Sequence, residues 1–266
     1  MNMIVCIKQI IDPEAMSAGF RIDEDSNRAV PPAKGATVIS PFDENAVEAA
    51  LKIKDAHGGK ITAISLGTNL RRDVVKMPLS AGADELILLE DEAFAGGDNW
   101  STAHALAMAI KKIGNYDLIF CGRQSADWDA GQVGPVIAEI LGLPSVTLAQ
   151  KVDIIDGKAR IERITDDGYE VIEASMPVLI TVSNEIGGLR YPTIRGIMAT
   201  KEIVPVIWKP ADIGLEAYQV GAAGRHTRLV KLFQPVHDGN CEFTDGESPE
   251  EAGVNLALKL KEAKLL

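Results

Sequence analysis

Strand-like and helix-like segments alternate four times within the first 145 residues of the chain. The apolar runs of strand length are MIVCIKQI (3–10), KITAISLG (60–67), DELILLED (84–91) and YDLIFCG (116–122). A segment with apolar residues at helical spacing follows each of them. Because parallel strands are joined by helical crossovers that cover both faces of the sheet, the alternation predicts a three-layer αβα fold. Its sheet should be mostly parallel and doubly wound.

The helical segments carry recognisable start and stop signals. We expect Asp43 to cap the first helix, DENAVEAALKIKDAHGG, and Gly58 to end it. Pro78 should kink the second helix, LRRDVVKMPLSAGA, or mark its last turn. The fourth, GQVGPVIAEILGLP, should end at Gly142 and Pro144.

The pattern changes after Ser145. Asp-Gly turns that begin at Asp156 and Asp167 separate runs of alternating β-type residues, which predicts an antiparallel meander at one edge of the sheet. Towards the end, a long irregular stretch precedes a final helix, SPEEAGVNLALKLKEAKLL. Such a stretch is unusual inside one domain. We therefore expect an α/β domain over residues 1–205 and a C-terminal arm over residues 206–266 that packs on another chain.

Composition argues against several classes of partner and site. A formal net charge of -11 and a pI of about 4.9 leave no basic face for nucleic acid or an anionic membrane. Cys6, Cys121 and Cys241 have no CxxC spacing and the four histidines are scattered, so no metal site is expected. There is no basic signal-peptide region and no apolar run of about 18 residues. These features predict a cytoplasmic protein without membrane insertion.

The stretch CGRQSADWDAGQVGP connects the fourth strand to the fourth helix. Open α/β sheets bind ligands at the carboxyl ends of their strands. Residues 130–133 should open the helix, whose free amides attract anions, and Gly131 permits close backbone approach. Asp127 and Asp129 suit ribose hydroxyls, or for Asp129 a helix cap, better than phosphate. The alternative is a plain, well-capped turn over which Trp128 packs.

Sequence motifs of other nucleotide-binding and catalytic sites are missing. The chain has no GxGxxG after its first strand, no GxxxxGK[ST], no SGGxDS and no GxSxG. A Rossmann dehydrogenase, a P-loop enzyme, an ATP-splitting ligase and a serine hydrolase are therefore disfavoured. Lys8 and Arg123 stand at strand ends, where they could contact a ligand or simply be solvated. The residues by themselves leave a nucleotide cradle and a plain turn as alternatives.

Six stretches occur along the chain in a characteristic order: CIKQIID, SPFDENAVEAAL, SLG, AGADELILL, YDLIFCGRQSADWDAGQVGP and LGLPSVT. In this order they resemble the β subunit of electron-transfer flavoprotein, the small subunit of an αβ heterodimer that carries electrons. IERITDDGYEVIEASMPVLITV looks like the signature segment of that family, and RYPTIRGIMAT looks like its partner-recognition loop. The likeness spans about residues 3–205 and implies a fold like that of the adenine-nucleotide hydrolases.

The resemblance also implies an adenine nucleotide bound at the carboxyl edge of the sheet. Its binding residues would be Cys6, Lys8, Ser40, Pro41, Phe42, Asp43, Leu66, Gly67, Cys121, Gly122, Arg123, Gln124, Ser125, Asp127, Asp129, Ala130, Gly131, Gln132 and Val133. In simple electron carriers of the family this nucleotide is AMP, and only the α subunit holds FAD. In the branch that performs electron bifurcation it is a second FAD, which accepts hydride from NADH. The segment GQVGPVIAEILGLP is similar to that of the bifurcating branch.

The partners follow from the same resemblance. An α subunit would form an obligate heterodimer with this chain. A flavin dehydrogenase such as acyl-CoA dehydrogenase would contact Tyr191, Pro192, Thr193, Ile194, Arg195 and Gly196, with Ile194 as an apolar anchor. A low-potential acceptor such as ferredoxin or flavodoxin would take the other electron.

No side chain needs to form or break a bond in that scheme, so no catalytic residue is expected. Whether the chain counts as an enzyme stays open: it is an electron-transfer protein and, if bifurcating, a subunit of an NADH-oxidising complex. One alternative is a non-bifurcating carrier with structural AMP. An alternative from another class is a nucleotide-sensing α/β binding module.

Overall fold

The fold is described from a computed structural model that covers residues 1–16, 21–30, 37–235, 239 and 241–266. The strands are β1 (Asn2–Ile7), β2 (Gln9–Ile11), β3 (Arg21–Asp23), β4 (Arg28–Val30), β5 (Thr37–Ile39), β6 (Lys60–Gly67), β7 (Glu85–Glu90), β8 (Leu118–Gly122), β9 (Ser145–Ile155), β10 (Lys158–Thr165), β11 (Gly168–Ser175), β12 (Val178–Val182) and β13 (Val206–Trp208). The helices are α1 (Pro13–Met16), α2 (Pro41–His57), α3 (Arg72–Val75), α4 (Met77–Ala81), α5 (Asn99–Ile113), α6 (Val133–Leu141), α7 (Ile194–Glu202), α8 (Gly221–Gly224) and α9 (Pro249–Glu262).

Within these ranges, nine strands form a central sheet in the order β11-β10-β9-β12-β8-β1-β6-β7-β13. In this spatial order, the seven strands β9-β12-β8-β1-β6-β7-β13 are all parallel to their neighbours. At the other edge, β10 pairs antiparallel with both β9 and β11. The predicted α/β fold with a mostly parallel sheet and an antiparallel edge meander is confirmed.

The central strands are apolar because helices cover both of their faces. Alternate residues of β1 enter different cores: Val5 packs in the core that includes α2, and Ile4 in the core that includes α5 and α6. On β8, Phe120 packs in the core that includes α2, and Ile119 packs in the core that includes α5 and α6. The sheet therefore lies between two helical layers, and its carboxyl edge is left to loops.

Two predicted boundaries near the amino terminus are wrong. The run 3–10 is not one strand: β1 ends at Ile7, and β2 pairs with β5 in a separate two-stranded sheet. Asp43 does not cap the first helix, because α2 begins two residues earlier with Ser40 as N-cap and Pro41 in its first turn. Proline is already set for the helical φ, so the helix starts there and Asp43 is buried inside it.

Two helices in the first half also differ from the prediction. The second is interrupted at Lys76 and divides into α3 and α4, with Pro78 in the first turn of α4; the break agrees with the predicted kink, and the alternative of a last turn at Pro78 is wrong. The fourth begins at Val133, so Ala130 and Gly131 lie before it rather than opening it. Gly131 has a φ of +62°, a left-handed conformation that turns the chain before the helix can start.

The described chain divides into two compact units, Met1–Leu232 and Phe233–Leu266. In the first unit, Ile213, Leu215 and Val220 are buried in the same core as α5. The second unit contains α9, which is capped by the Ser248 hydroxyl. A boundary at residue 205 and the packing of 206–266 on another chain stay predictions, and residues 236–238 and 240 of that arm lie outside the described ranges. Across the described ranges, no helix combines the length and apolar character needed to cross a bilayer.

Candidate functional site

A pocket of about 170 Å³ opens at the carboxyl edge of the sheet, where β1, β6 and β8 end. It collects most of the side chains that the resemblance assigns to nucleotide binding: Cys6, Lys8, Asp43, Leu66, Cys121, Gly122, Arg123, Gln124, Ser125, Ala130, Gly131, Gln132 and Val133 all line it. Residues far apart in the chain thus meet at one place because parallel strands deliver their carboxyl ends to the same edge.

Asp43 ties the two central strands of the pocket together. Its carboxylate oxygens accept hydrogen bonds from the backbone N–H groups of Lys8, at 2.8 Å, and of Gly122, at 3.1 Å. Burial raises the pKa of Asp43 to about 7, although the two backbone donors and the Lys8 charge favour the ionised form. The carboxyl is therefore a structural group that fixes the positions of β1 and β8 at the pocket floor.

The 123–132 loop forms the wall opposite Asp43. The backbone N–H of Asp129 donates to the Ser125 carbonyl at 2.9 Å, and Asp129 has a φ of +50°. Its carboxylate accepts from Gln124 Nε2 at 2.8 Å, so the interpretation of Asp129 as the cap of the helix is wrong. Gln132 is the N-cap of α6 and makes no side-chain cap hydrogen bond. The first-turn amides of α6 consequently stay available for an anion.

Two cationic side chains reach the pocket. Lys8 Nζ lies 2.8 Å from the Asp127 carboxylate at the rim. Arg123 stacks on the Phe42 ring, with 5.7 Å from its guanidinium carbon to the ring centroid. Among the described residues, the buried Nε of Arg123 has no hydrogen-bond acceptor. A buried guanidinium N–H without an acceptor is costly, and the same guanidinium donates from Nη1 to Ser183 Oγ at 3.4 Å.

Cys6 and Cys121 form the apolar part of the floor. Both are buried free thiols, and they belong to the core that includes α5 and α6. A hydrogen bond with Cys6, together with burial, raises the pKa of Cys121 well above its ordinary value. A thiol in that state is a poor nucleophile, so these residues shape the pocket rather than react in it.

Six residues assigned by the resemblance do not line the pocket. These are Ser40, Pro41, Phe42, Gly67, Asp127 and Asp129. Ser40 supports the loop from below, since its hydroxyl accepts from the backbone N–H of Ala126 at 3.3 Å. Asp127 neutralises Lys8 at the rim, and Phe42 lies under Arg123. Trp128 is 57% exposed and lines the neighbouring groove.

Helix α5 contributes to the pocket residues that no sequence motif indicates. Asn99, Thr102 and Leu106 line the pocket from this helix, as do Ile7 and Gly134. Asn99 Nδ2 donates to Gln132 Oε1 at 2.9 Å and so joins α5 to the start of α6. The Asp98 and Ser101 capping box marks the beginning of α5 in the sequence. It gives no sign that α5 lies beside the 123–132 loop, because that depends on tertiary packing.

The pocket continues into a larger groove, of about 750 Å³. The two share Lys8, Asn99, Thr102 and Ala130. Three arginines, Arg28, Arg225 and Arg228, line the groove together with Trp128. In a chain with a net charge of -11, this local excess of cations is a distinct electrostatic feature and favours an anionic ligand.

The 191–196 segment presents apolar side chains to solvent on another part of the unit. Tyr191 is 96% and Ile194 79% exposed. Only its first residues form a loop, because Thr193 caps α7, accepting from the Gly196 backbone N–H at 3.0 Å, and Ile194 begins that helix. Exposed apolar residues grouped in this way are typical of protein interfaces.

Comparison with known proteins decides between the alternatives for the family. Residues 33–212, more than half of the chain, match the electron transfer flavoprotein domain. The chain belongs to the electron transfer flavoprotein β-subunit family. A protein of Thermoanaerobacterium thermosaccharolyticum named electron transfer flavoprotein subunit beta is 40% identical over 263 residues, which cover 98% of each chain. The protein of that name from Clostridium acetobutylicum is 37% identical over 269 residues, again 98% of each chain.

Other members of the electron transfer flavoprotein family are named for larger assemblies. The caffeyl-CoA reductase-Etf complex subunit CarD of Acetobacterium woodii is 36% identical over 267 residues, 100% of each chain. The family thus includes subunits of electron-transfer complexes that match this chain from end to end. Across the described part of this chain, no group of three or more His, Cys, Asp or Glu residues could hold a metal ion.

Proposed function

We propose that this chain binds FAD in the carboxyl-edge pocket and its groove and, with an α subunit, transfers electrons by bifurcation. NADH would be the donor. A low-potential acceptor such as ferredoxin or flavodoxin, and a flavin dehydrogenase such as acyl-CoA dehydrogenase, would receive one electron each. The proposal combines family membership with the chemistry of the pocket.

The pocket suits the adenosine and phosphate part of such a ligand. A Cβ at Gly122 would lie 2.6 Å from Asp43 Oδ1 and 2.7 Å from the Phe42 carbonyl carbon, so only glycine keeps this wall in place. The Lys8 ammonium and the first-turn amides of α6, those of Val133 and Gly134, are donors for phosphate oxygens, and the Arg123 guanidinium adds positive charge. The apolar floor formed by Leu66 and the two thiols suits a flat base.

The continuous groove is the observation that favours FAD over AMP. A mononucleotide needs only the pocket, whereas a dinucleotide must extend beyond its first phosphate. The groove starts from the pocket at Lys8 and offers Arg28, Arg225 and Arg228 along the way. These cations suit the second phosphate and the electron-rich part of a flavin, and Trp128 offers an aromatic face at the mouth.

In this role FAD would supply the redox chemistry, since flavins exchange both hydride and single electrons. The chain's own residues would bind and orient it. Lys8 and Arg123 would neutralise phosphate charge, and Asp43 would keep β1 and β8 in register beneath it. No side chain is required to transfer a proton or to form a covalent bond.

The two alternatives predict different features. A non-bifurcating carrier would hold AMP in the pocket and leave the cationic groove without a ligand. A nucleotide-sensing module would not need the exposed apolar residues at 191–198. Those residues, which include Met198 at 64% exposure, favour a protein that docks with a redox partner.

The test is to co-express the chain with its α subunit, denature the purified heterodimer and count the nucleotides released. Two FAD and no AMP per heterodimer is the expected result. An anaerobic titration with NADH should then reduce both flavins. One FAD with one AMP would instead assign the chain to the non-bifurcating carriers, and neither nucleotide in this subunit would favour a different role for the pocket.

A further inference from the structure

One face of α2 carries polar residues that hold a distant part of the chain. Asn45, Glu48, Lys52 and Asp55 are spaced three or four residues apart and so lie along one side of the helix. All four contact the stretch Ile186–Arg190, which leads directly into the exposed residues Tyr191 to Arg195. We call these four residues the α2 stripe.

The first two contacts of the α2 stripe fix the path of the backbone. Lys52 Nζ donates to the Ile186 carbonyl at 2.5 Å, and Asn45 Nδ2 donates to the Gly187 carbonyl at 2.7 Å. A contact that served only to balance charge would not select backbone carbonyls. These bonds hold one particular conformation of the chain between β12 and α7.

Arg190 makes the remaining contacts and is the last residue before the exposed segment. Its backbone N–H donates to Glu48 Oε2 at 3.0 Å, and its Nη2 donates to Glu48 Oε1 at 2.9 Å. Its Nη1 reaches Asp55 at 2.7 Å. The Glu48 side chain is only 8% exposed, which limits solvent screening of this pair, whereas Asp55 is 61% exposed.

The far end of the segment is held by α4. Lys76 Nζ donates to the Thr200 carbonyl on α7 at 3.0 Å. A Cβ at Gly196 would lie 2.3 Å from the Ser80 carbonyl oxygen, so the α7 backbone touches α4 where only glycine fits. The exposed residues between these two attachments are therefore presented from a fixed frame.

From this arrangement we infer that Arg190 is a positioning residue for partner docking. Its guanidinium bonds to Glu48 and to Asp55 at the same time, an arrangement that we call the fork. The fork holds residues 191–196 in the conformation that the partner recognises. The inference rests on the proposed function, in which this segment meets a flavin dehydrogenase. A rigid apolar anchor binds with less loss of conformational entropy than a mobile one. Loss of the fork should weaken docking without any change at the nucleotide pocket.

The experiment compares Arg190→Met and Arg190→Lys with wild type in the assembled, nucleotide-loaded heterodimer. Lys keeps the charge but loses the fork. Lys54→Met is the matched control, because Lys54 also lies on α2 but its ammonium bonds to the Gly82 carbonyl at 2.9 Å and to Asp84 at 2.7 Å, away from the 186–190 stretch. Hydrogen exchange of residues 188–196 is measured together with the KM and kcat for an acyl-CoA dehydrogenase and with the nucleotide content.

Exchange in 188–196 should accelerate about tenfold in Arg190→Met, as expected for loss of hydrogen bonds to a charged group. KM for the dehydrogenase should rise about threefold, less than on loss of the Ile194 anchor, with kcat and nucleotide content unchanged, and Arg190→Lys should fall between this variant and wild type. Unchanged exchange in both Arg190 variants, or equal acceleration in Lys54→Met, overturns the inference. If Arg190→Met folds poorly, Asp55→Ala removes only the exposed contact of the Arg190 guanidinium and should give a smaller change of the same kind.

An Ile194→Ala variant separates failure of the inference from failure of the proposed function. If Ile194→Ala raises KM while Arg190→Met accelerates exchange but leaves KM unchanged, the positioning role is contradicted and the docking role stands. If neither variant changes KM although exchange accelerates, Arg190 does order the segment, and it is the proposed docking of residues 191–196 that fails.

Discussion

The carboxyl-edge pocket and the 191–198 segment differ in almost every physical respect, although α2 is connected to both. The pocket is concave, has a buried carboxyl at its floor and contains a buried donor, Arg123 Nε, that finds no acceptor among the described residues. The segment is convex and exposes apolar side chains such as Ile194. A cavity lined by a lysine and by free helix amides favours a small anionic ligand, and exposed apolar groups favour another protein. In the proposed function, one chain would thus separate cofactor binding from partner binding.

The largest loss of stability is expected for a substitution at Gly122, where the pocket wall has no space for a side chain. Gly122→Ala would force a Cβ against Asp43 and the Phe42 backbone, so we expect the free energy of unfolding to fall by about 3 kcal/mol. Bound nucleotide should be lost as well. Denaturant unfolding of the heterodimer measures the first effect and absorbance of the released nucleotide the second.

Gly253→Ala is the control for that substitution, because nothing lies within 4 Å of a Cβ placed there and the residue is inside α9. It should be neutral or slightly stabilising. Equal effects of the two substitutions would mean that the close approach at Gly122 is not what shapes the pocket.

The next largest effect is a change with pH in the free energy of unfolding, caused by Asp43 at the pocket floor. Burial raises the pKa of Asp43 from its ordinary value of 3.8 to about 7, so the folded state holds the proton more tightly than the unfolded state. Its contribution to stability is present below about pH 4 and is lost as the pH rises through 7. Relative to Asp43→Asn, wild type should therefore gain about 2 kcal/mol between pH 8 and pH 5. Unfolding curves of both proteins across this range measure the difference, and parallel pH profiles would contradict the assignment.

The fold of this chain could be predicted from its sequence more fully than the pocket could. The alternation of apolar strands and amphipathic helices predicts the sheet and both helical layers, because burial on two faces leaves a direct mark on composition. Asp43 was expected at a helix cap, yet it is drawn to Lys8 and Gly122 by a tertiary contact that no local pattern records. Asn99 and Thr102 were missed for the same reason.

Removal of the Lys8 charge at the pocket rim should have a smaller effect, on nucleotide affinity. Lys8→Met removes the ammonium between the strand end and Asp127, leaving the Asp127 charge uncompensated beside a phosphate. Affinity for the nucleotide should fall about tenfold, as for a charge-assisted hydrogen bond. Equilibrium dialysis of the reloaded heterodimer measures it. Lys60→Met, which removes a surface pair with Glu85 at the start of β6, should leave affinity unchanged.

The smallest effect is expected at the convex region. Ile194→Ser replaces the exposed apolar anchor and should raise KM for the dehydrogenase about fivefold, in the range of ordinary interface residues. Nucleotide content should not change. Val171→Ser, at an exposed apolar position on β11, is the matched control. An equal rise of KM in both variants would show that general surface hydrophobicity, rather than this segment, governs docking.

The central claim is that the carboxyl-edge pocket holds an adenine nucleotide. It is tested most directly by photolabelling the nucleotide-depleted heterodimer with 8-azido-AMP and mapping the modified peptides by mass spectrometry. The account predicts labelling in peptides that contain Leu66 or the 121–134 stretch, suppressed by unlabelled AMP and FAD. Labelling that avoids these peptides and persists with excess nucleotide would contradict it.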